Sequence, residues 1–335
     1  MIKSFSIKNF GPVQSLSCEG LAGVNLFIGP NGIGKSIILK SLYAALKSVE
    51  QSGHGMEHRS VKELLSSKLY WTFQTDELGM LVRKGTQELS FTMSSDKGET
   101  VSYSFGYATS KKITNLSSTF AKREDNTVFI PAKEVLSLKD NIEESRSDKY
   151  NAFGFDDTYF DLVRALRPQT RGKNYKKFAD ARTCMMDAIG GKVEYDPKRQ
   201  RWTFASKNAG ILPISLTSEG VKKLSIIDVL LGNHYLTPNS VVIIDEPESA
   251  LHPRLVSTFM EIICELSKAG IQFFMASHSY FVIKKLYVLA HQKKMSVPVI
   301  SLGCDHAVQC DLKEGMPQNQ IMEESVKLYT EEMQK

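Results

Sequence analysis

Eight residues near the amino terminus, Gly29-Pro30-Asn31-Gly32-Ile33-Gly34-Lys35-Ser36, have the types and spacing needed to hold a run of phosphates. Gly, four residues, Gly, Lys and Ser is the P-loop pattern. Its glycines let backbone amides turn inward on phosphate oxygens, and the helix that follows aims its positive end at the same charge. Lys35 would neutralise the β and γ phosphates and the Ser36 hydroxyl would ligate Mg²⁺. Pro30 and Asn31 shape the turn, and Ile33 and Ile37 complete the nucleotide-binding set. A glycine-rich turn with an exposed lysine is the bland alternative. Far along the chain, Val241-Val242-Ile243-Ile244-Asp245-Glu246 reads as a buried strand ending in two carboxylates, and such strand ends are where doubly wound folds bind ligands. Asp245 would hold Mg²⁺ through water, while Glu246 would orient and deprotonate an attacking water.

Those side chains must be carried by a strand on one side and a helix on the other, and the flanking patterns supply both. Residues 2–10 alternate apolar and polar, Gly11 and Pro12 interrupt them, and residues 24–28 form an apolar run into the glycine loop. Ile37, Ile38, Leu42, Ala45 and Leu46 then recur at helical spacing to about Glu50, before a break at Gly53 and Gly55. Residues 61–107 pass from a short helical pattern to alternating segments at 87–93 and 100–105, an antiparallel β meander. Residues 111–200 read as mostly helical, interrupted at Pro131, Pro168 and Gly190-Gly191. After Trp202 strand and helix patterns alternate, with residues 241–244 and 271–276 as strands of a parallel sheet. The expected organisation is α/β: residues 1–110 as the first half of a core with a mixed or parallel P-loop sheet, 111–200 as a largely helical inserted lobe, 201–310 as the second half, and 311–335 as a helical tail.

Leu216-Thr217-Ser218-Glu219-Gly220-Val221-Lys222-Lys223-Leu224 and Pro247-Glu248-Ser249-Ala250-Leu251-His252-Pro253 flank the acidic strand, and His278 closes the strand after it. Together with the loop, these resemble the signature motif, D-loop and switch histidine of ABC ATPases, with Ser218-Glu219-Gly220 where transporters carry Ser-Gly-Gly. EPESALHP, SEG and SHS look like the soluble RecF, OLD and SMC-like branch (AAA_15 and AAA_21 types), including Septu and retron-associated defence ATPases. The resemblance implies an ABC head and slow ATP hydrolysis, with Lys35, Glu246 and His278 catalytic and Ser36, Asp245 and Gln74 about Mg²⁺. It also implies a homodimer sandwiching ATP, in which Ser218, Glu219 and Gly220 bind the nucleotide held by the other copy. An ordinary helix cap for Ser218 and a core position for His278 are the alternatives. The chain shows no sustained heptad repeat such as SMC arms need, and the 57 residues after His278 are too few for the Toprim nuclease of OLD proteins. The leading expectation is therefore an ATPase that gates a separately encoded nuclease or toxin in bacterial anti-phage defence, and the alternative is a RecF-like DNA-repair clamp.

Two further features concern partners. Arg164, Arg167, Arg171, Lys173, Lys176, Lys177 and Arg182 stand against only Asp161 and Asp180, so this stretch could grip nucleic-acid phosphates or be a solvated helix face. Met322, Val326, Tyr329 and Met333 form an apolar stripe on an otherwise charged helix, which either docks onto the protein's own core or enters a partner's groove. A net charge of +5 over 335 residues adds little. Five scattered cysteines suit a reducing cytosol, and Cys304, His306 and Cys310 lack the paired spacing of a zinc site. No run approaches the roughly 20 apolar residues of a membrane span, and no signal-peptide pattern opens the chain. A cytoplasmic protein outside the membrane is expected.

Overall fold

The computed structural model describes residues 1–52, 59–120, 125–147, 153–167, 175–303 and 307–334. Gly53, Gly55, Pro168, Arg171, Lys173, Cys304 and His306, singled out above, lie outside them. In chain order, β1 (Ile2–Phe10), β2 (Val13–Cys18) and β3 (Val24–Ile28) lead into α1 (Lys35–Ser52) and α2 (Val61–Phe73). β4 (Glu88–Ser95), β5 (Thr100–Gly106), β6 (Asn115–Ser118) and β7 (Thr127–Ile130) precede α3 (Lys139–Glu144), α4 (Asp157–Ala165) and α5 (Ala179–Ile189). β8 (Gly191–Asp196), β9 (Arg201–Ser206), β10 (Gly210–Pro213), α6 (Glu219–Gly232) and β11 (Val241–Asp245) follow. The chain continues through α7 (Pro253–Lys268), β12 (Gln272–Ser277), α8 (Tyr280–Lys293), β13 (Pro298–Leu302), β14 (Ala307–Asp311) and α9 (Gln320–Met333).

The central sheet runs β14-β13-β3-β12-β11-β7, parallel throughout except for β14. β3, β12 and β13 are buried along their whole lengths, which is why their sequences are mostly apolar, with Asn25, Gln272, Ser277 and Ser301 as the buried polar exceptions. Alternation still sorts their two faces. Leu26, Val242, Ile244, Phe273 and Met275 point into a core shared with α6, α7 and α8. Phe27, Val241, Ile243 and Phe274 point into a second core with α1 and the antiparallel sheet β2-β1-β4-β5-β6. α1 thus lies between the two sheets, fixed by burial of Ile38, Leu42, Tyr43 and Leu46. A third sheet, β10-β9-β8, packs against α5 and α6.

The architecture is the expected mixed α/β one, with the meander extended by β1 and β2. The stretch 111–200 carries α3, α4 and α5, but strands as well. β6 closes the antiparallel sheet against β5, and β7 enters the central sheet beside β11. A four-residue strand, Thr127-Val128-Phe129-Ile130, is too short to show a period, and only its pairing with β11 makes it one. The carboxy-terminal stripe is not covered by the protein's own core. Val326, Tyr329 and Met333 are 61%, 63% and 70% exposed, because α9 meets the body chiefly through its first turn, where Ile321 packs against the core. Among the described residues no helix is long and apolar enough to cross a membrane.

Candidate functional site

The loop between β3 and α1 owes its shape to three glycines at positive φ, Gly29 (147°), Gly32 (79°) and Gly34 (107°), backbone that L side chains rarely adopt. Space forbids side chains too. A Cβ on Gly29 would lie 2.6 Å from the Leu302 carbonyl oxygen, and one on Gly34 would lie 2.8 Å from Val13 Cγ2. Pro30 and Asn31 ride on the exposed rim, while Ile33 and Ile37 turn toward the antiparallel-sheet core. Lys35, only 8% exposed, donates from Nζ to the carbonyls of Gly29 (2.7 Å) and Pro30 (2.9 Å). Burial lowers its pKa, and the charges of Asp245, Glu246 and Glu248 oppose that.

β12 lies between β3 and β11, and the parallel register brings both strand ends to one edge, so residues 209 positions apart meet. The Ser36 hydroxyl lies beside the Asp245 carboxylate, near enough to stabilise its charge by hydrogen bonding. Burial pushes the Asp245 pKa up, against the Ser36 hydrogen bond, which favours the ion. A hydroxyl beside a buried carboxylate whose charge is undercompensated is a hard-oxygen donor pair of the kind Mg²⁺ selects, so these residues fit the metal. Lys40 pairs with Asp156 at 2.6 Å on the same side. Tyr159 on α4 has its phenol pushed up to about 12 by burial, with Asp156 and Asp245 adding their charges.

Glu246 takes a left-handed backbone (φ 49°) as the chain leaves β11, its N–H donating to Ala276 O at 2.9 Å. Its carboxylate lies 3.6 Å from His278 Nδ1. Glu248 positions that histidine by accepting from Ser277 Oγ (2.8 Å) and from the His278 N–H (3.1 Å). The His278 ring is therefore partly exposed at the mouth of the site, which excludes a core position. A cleft of about 810 Å³ opens there, walled by Gly29, Asn31, His278 and Leu302 and, from α9, by Glu324 and Leu328.

Ser218, Glu219 and Gly220 do not join this cleft. Ser218 caps α6, accepting from the Val221 N–H at 3.3 Å, and is exposed with Glu219, while Gly220 is buried against the D-loop. Gln74 is the left-handed cap of α2, and among the described residues no hydrogen bond links it to Ser36 or Asp245. Its position follows from α2 ending where Phe73 packs on Phe10. The basic cluster also shrinks. Arg182 donates from Nε to Asp228 at 2.6 Å and is largely buried, and Asp161 points inward to Tyr43 and Lys68, so neither sets the surface charge. Arg167 pairs with Glu143, whereas Arg164, Lys176 and Lys177 are exposed.

Sequence reading assigned no role to Lys223. Buried on α6, it donates from Nζ to the Glu246 carbonyl, with its pKa lowered to about 8 by burial against the charges of Glu248, Glu246 and Asp245. Its spacing of three from Gly220, which puts both on one helix face, was the available signal. Glu134 beyond β7 was equally silent; its carboxylate lies 4.0 Å from Lys222.

Residues 24–284 match the family model AAA_21, described as "AAA domain, putative AbiEii toxin, Type IV TA system". None of the curated proteins matches the sequence. Among solved structures, the Smc head bound to the C-winged helix domain of ScpA aligns with a TM-score of 0.57 at 13% identity, over 93% of this chain and 98% of that one. The Smc head with an extended coiled coil, bound to the C-terminal domain of ScpA from Pyrococcus furiosus, gives 0.54 at 12% identity over 100% and 99%. At such identities the likeness speaks for the fold: this chain is built as an SMC head ATPase domain is.

Proposed function

The chain belongs to the AAA_21 family, and from that premise we propose that it binds and hydrolyses Mg·ATP as a homodimer closed around two nucleotides, and that its nucleotide state gates a separately encoded nuclease or toxin. The observation that carries the reading is the meeting, at one sheet edge, of Lys35 and Ser36 with Asp245, and of Glu246 with His278. Lys35 draws the β and γ phosphates into the glycine loop, whose amides take up their charge. Ser36 and Asp245 would hold Mg²⁺, which would supply charge neutralisation to the phosphates. Glu246 orients the attacking water and takes its proton, and His278, steadied by Glu248, holds its ring toward the γ-phosphate.

One copy is taken as half a site, because Ser218, exposed at the amino end of α6, caps that helix and does not line the cleft beside Gly29 and His278. Two-fold pairing lets the Ser218-Glu219-Gly220 turn of each copy meet the phosphates held by the other, a second helix amino terminus on the same anion. The "putative AbiEii toxin" in the family description and the uncovered stripe of α9 support an effector partner. The solution mass of Glu246→Gln with and without Mg·ATP, together with capture of co-purifying chains, tests the reading. A dimer that forms with ATP and carries a nuclease or toxin supports it; a protein that stays monomeric with ATP overturns the sandwich. A DNA-repair clamp is the second reading, favoured by the exposed Arg164, Lys176 and Lys177, and it requires duplex DNA binding that weakens steeply with salt.

A further inference from the structure

We propose that Lys223 is a positioning residue that ties the amino end of α6 to the catalytic segment, so that contact at Ser218 sets the aim of Glu246 in the same copy. This rests on the ATPase reading above and adds to it a link between the half-site a copy lends and the half-site it keeps.

α6 lies directly on the segment that carries Glu246. A Cβ on Gly220 would come within 2.9 Å of the Ala250 carbonyl oxygen and 3.0 Å of Leu251 Cδ2, so the first turn of the helix rests on the D-loop without a side chain between. Three residues on, Lys223 reaches from the same face to the main-chain carbonyl of Glu246. That carbonyl also accepts the Ser249 N–H at 3.0 Å, closing the turn that follows the strand. Both peptide groups around Glu246 are therefore held from outside, the N–H by β12 through Ala276 and the carbonyl by α6 through Lys223. The residue between them has φ 49°, a conformation that is unfavourable for a non-glycine and persists only where neighbours impose it. Lys223 is one of those neighbours. Packed interfaces change between discrete arrangements instead of stretching, so a shift of α6 when Ser218 meets phosphate is passed to the Glu246 backbone through this bond. An ammonium suits the position, since it donates to a carbonyl beside three carboxylates, Asp245, Glu246 and Glu248, where a methyl group would leave that carbonyl with the Ser249 N–H alone.

The test uses the full chain: steady-state ATP hydrolysis of wild type, Lys223→Met, Lys223→Arg and Lys223→Gln, with ATP binding and thermal unfolding measured on each. Lys223→Met is expected to lower kcat about 10- to 100-fold with KM within about twofold, as loss of alignment predicts. Lys223→Arg should recover most of the rate. Lys223→Gln, a neutral donor, should fall between, and it serves if Lys223→Met does not fold. The link itself is read from Ser218→Ala combined with Lys223→Met: the double variant should be no slower than Lys223→Met alone. Independent, multiplying losses overturn the link. So does an unimpaired Lys223→Met beside an active wild type, or a rise in KM matching the fall in kcat. A wild type that hydrolyses no ATP sinks the ATPase reading and this inference with it.

Discussion

Lys35 is a buried cation whose two hydrogen-bond acceptors within the chain are carbonyls of its own loop. Exchanging those weak partners for phosphate oxygens is what the loop is shaped to allow. Lys35→Ala should weaken ATP binding by about 2 kcal/mol or more, roughly thirtyfold, the worth of a hydrogen bond to a charged group; titration calorimetry checks it. Glu248 acts at one remove. Without its carboxylate the Ser277 hydroxyl and the His278 N–H lose their acceptor, so Glu248→Ala should cost about 1–2 kcal/mol of stability and slow turnover about tenfold while KM holds. Denaturant unfolding and steady-state kinetics read the two effects separately. The loop was legible at this scale because glycine identity records backbone conformation directly, and Asp245 and Glu246 because an apolar strand ending in acids needs no partner to be noticed. Gln74 lacked that support, since a glutamine at a helix end carries no local mark of what it faces.

At the scale of elements, α1 is fastened from behind by a buried ionic cluster. Tyr43 on α1 donates to Asp161 of α4 at 2.5 Å, and Lys68 of α2 bonds both Asp157 (2.9 Å) and Asp161. Burial works to lower the Lys68 pKa, and the charges of Asp161 and Asp157 win and raise it. Lys68→Met would leave Asp161 buried without its ion-pair partner, while Asp157 keeps Arg146 at 2.9 Å. A loss of about 3–5 kcal/mol is expected in thermal or urea unfolding, with nucleotide affinity following the loosened α1. The antiparallel sheet has its own close approach: a Cβ on Gly79 would lie 1.9 Å from the Tyr107 carbonyl oxygen, where the Gly79 N–H already bonds Thr109 O at 2.7 Å. Gly79→Ala should cost about 2–4 kcal/mol in denaturant unfolding and alter the near-ultraviolet circular dichroism without touching Asp245 or Glu246.

For the molecule as a whole, α9 is the element the body needs least. None of its residues is buried, so removing residues 323–335 should leave the unfolding midpoint within about 2 °C of the intact chain, as expected where little apolar area is lost. A protein that unfolds much earlier would show that α9 belongs to the core. What the sequence alone determined was everything encoded locally: the glycine loop, the acidic strand, the apolar runs of the parallel sheet, the amphipathic tail, and through them an α/β ATPase head. What only the tertiary structure decided was which distant residues meet. β7 becomes the edge strand of the central sheet by pairing with β11, more than a hundred positions away. Arg182 leaves the basic surface for Asp228, Ser218 caps α6 and stays exposed, and Lys223 finds the Glu246 carbonyl. Backbone propensity and periodicity act over one or two turns of chain, whereas a buried charge chooses its partner only after packing has removed water from both.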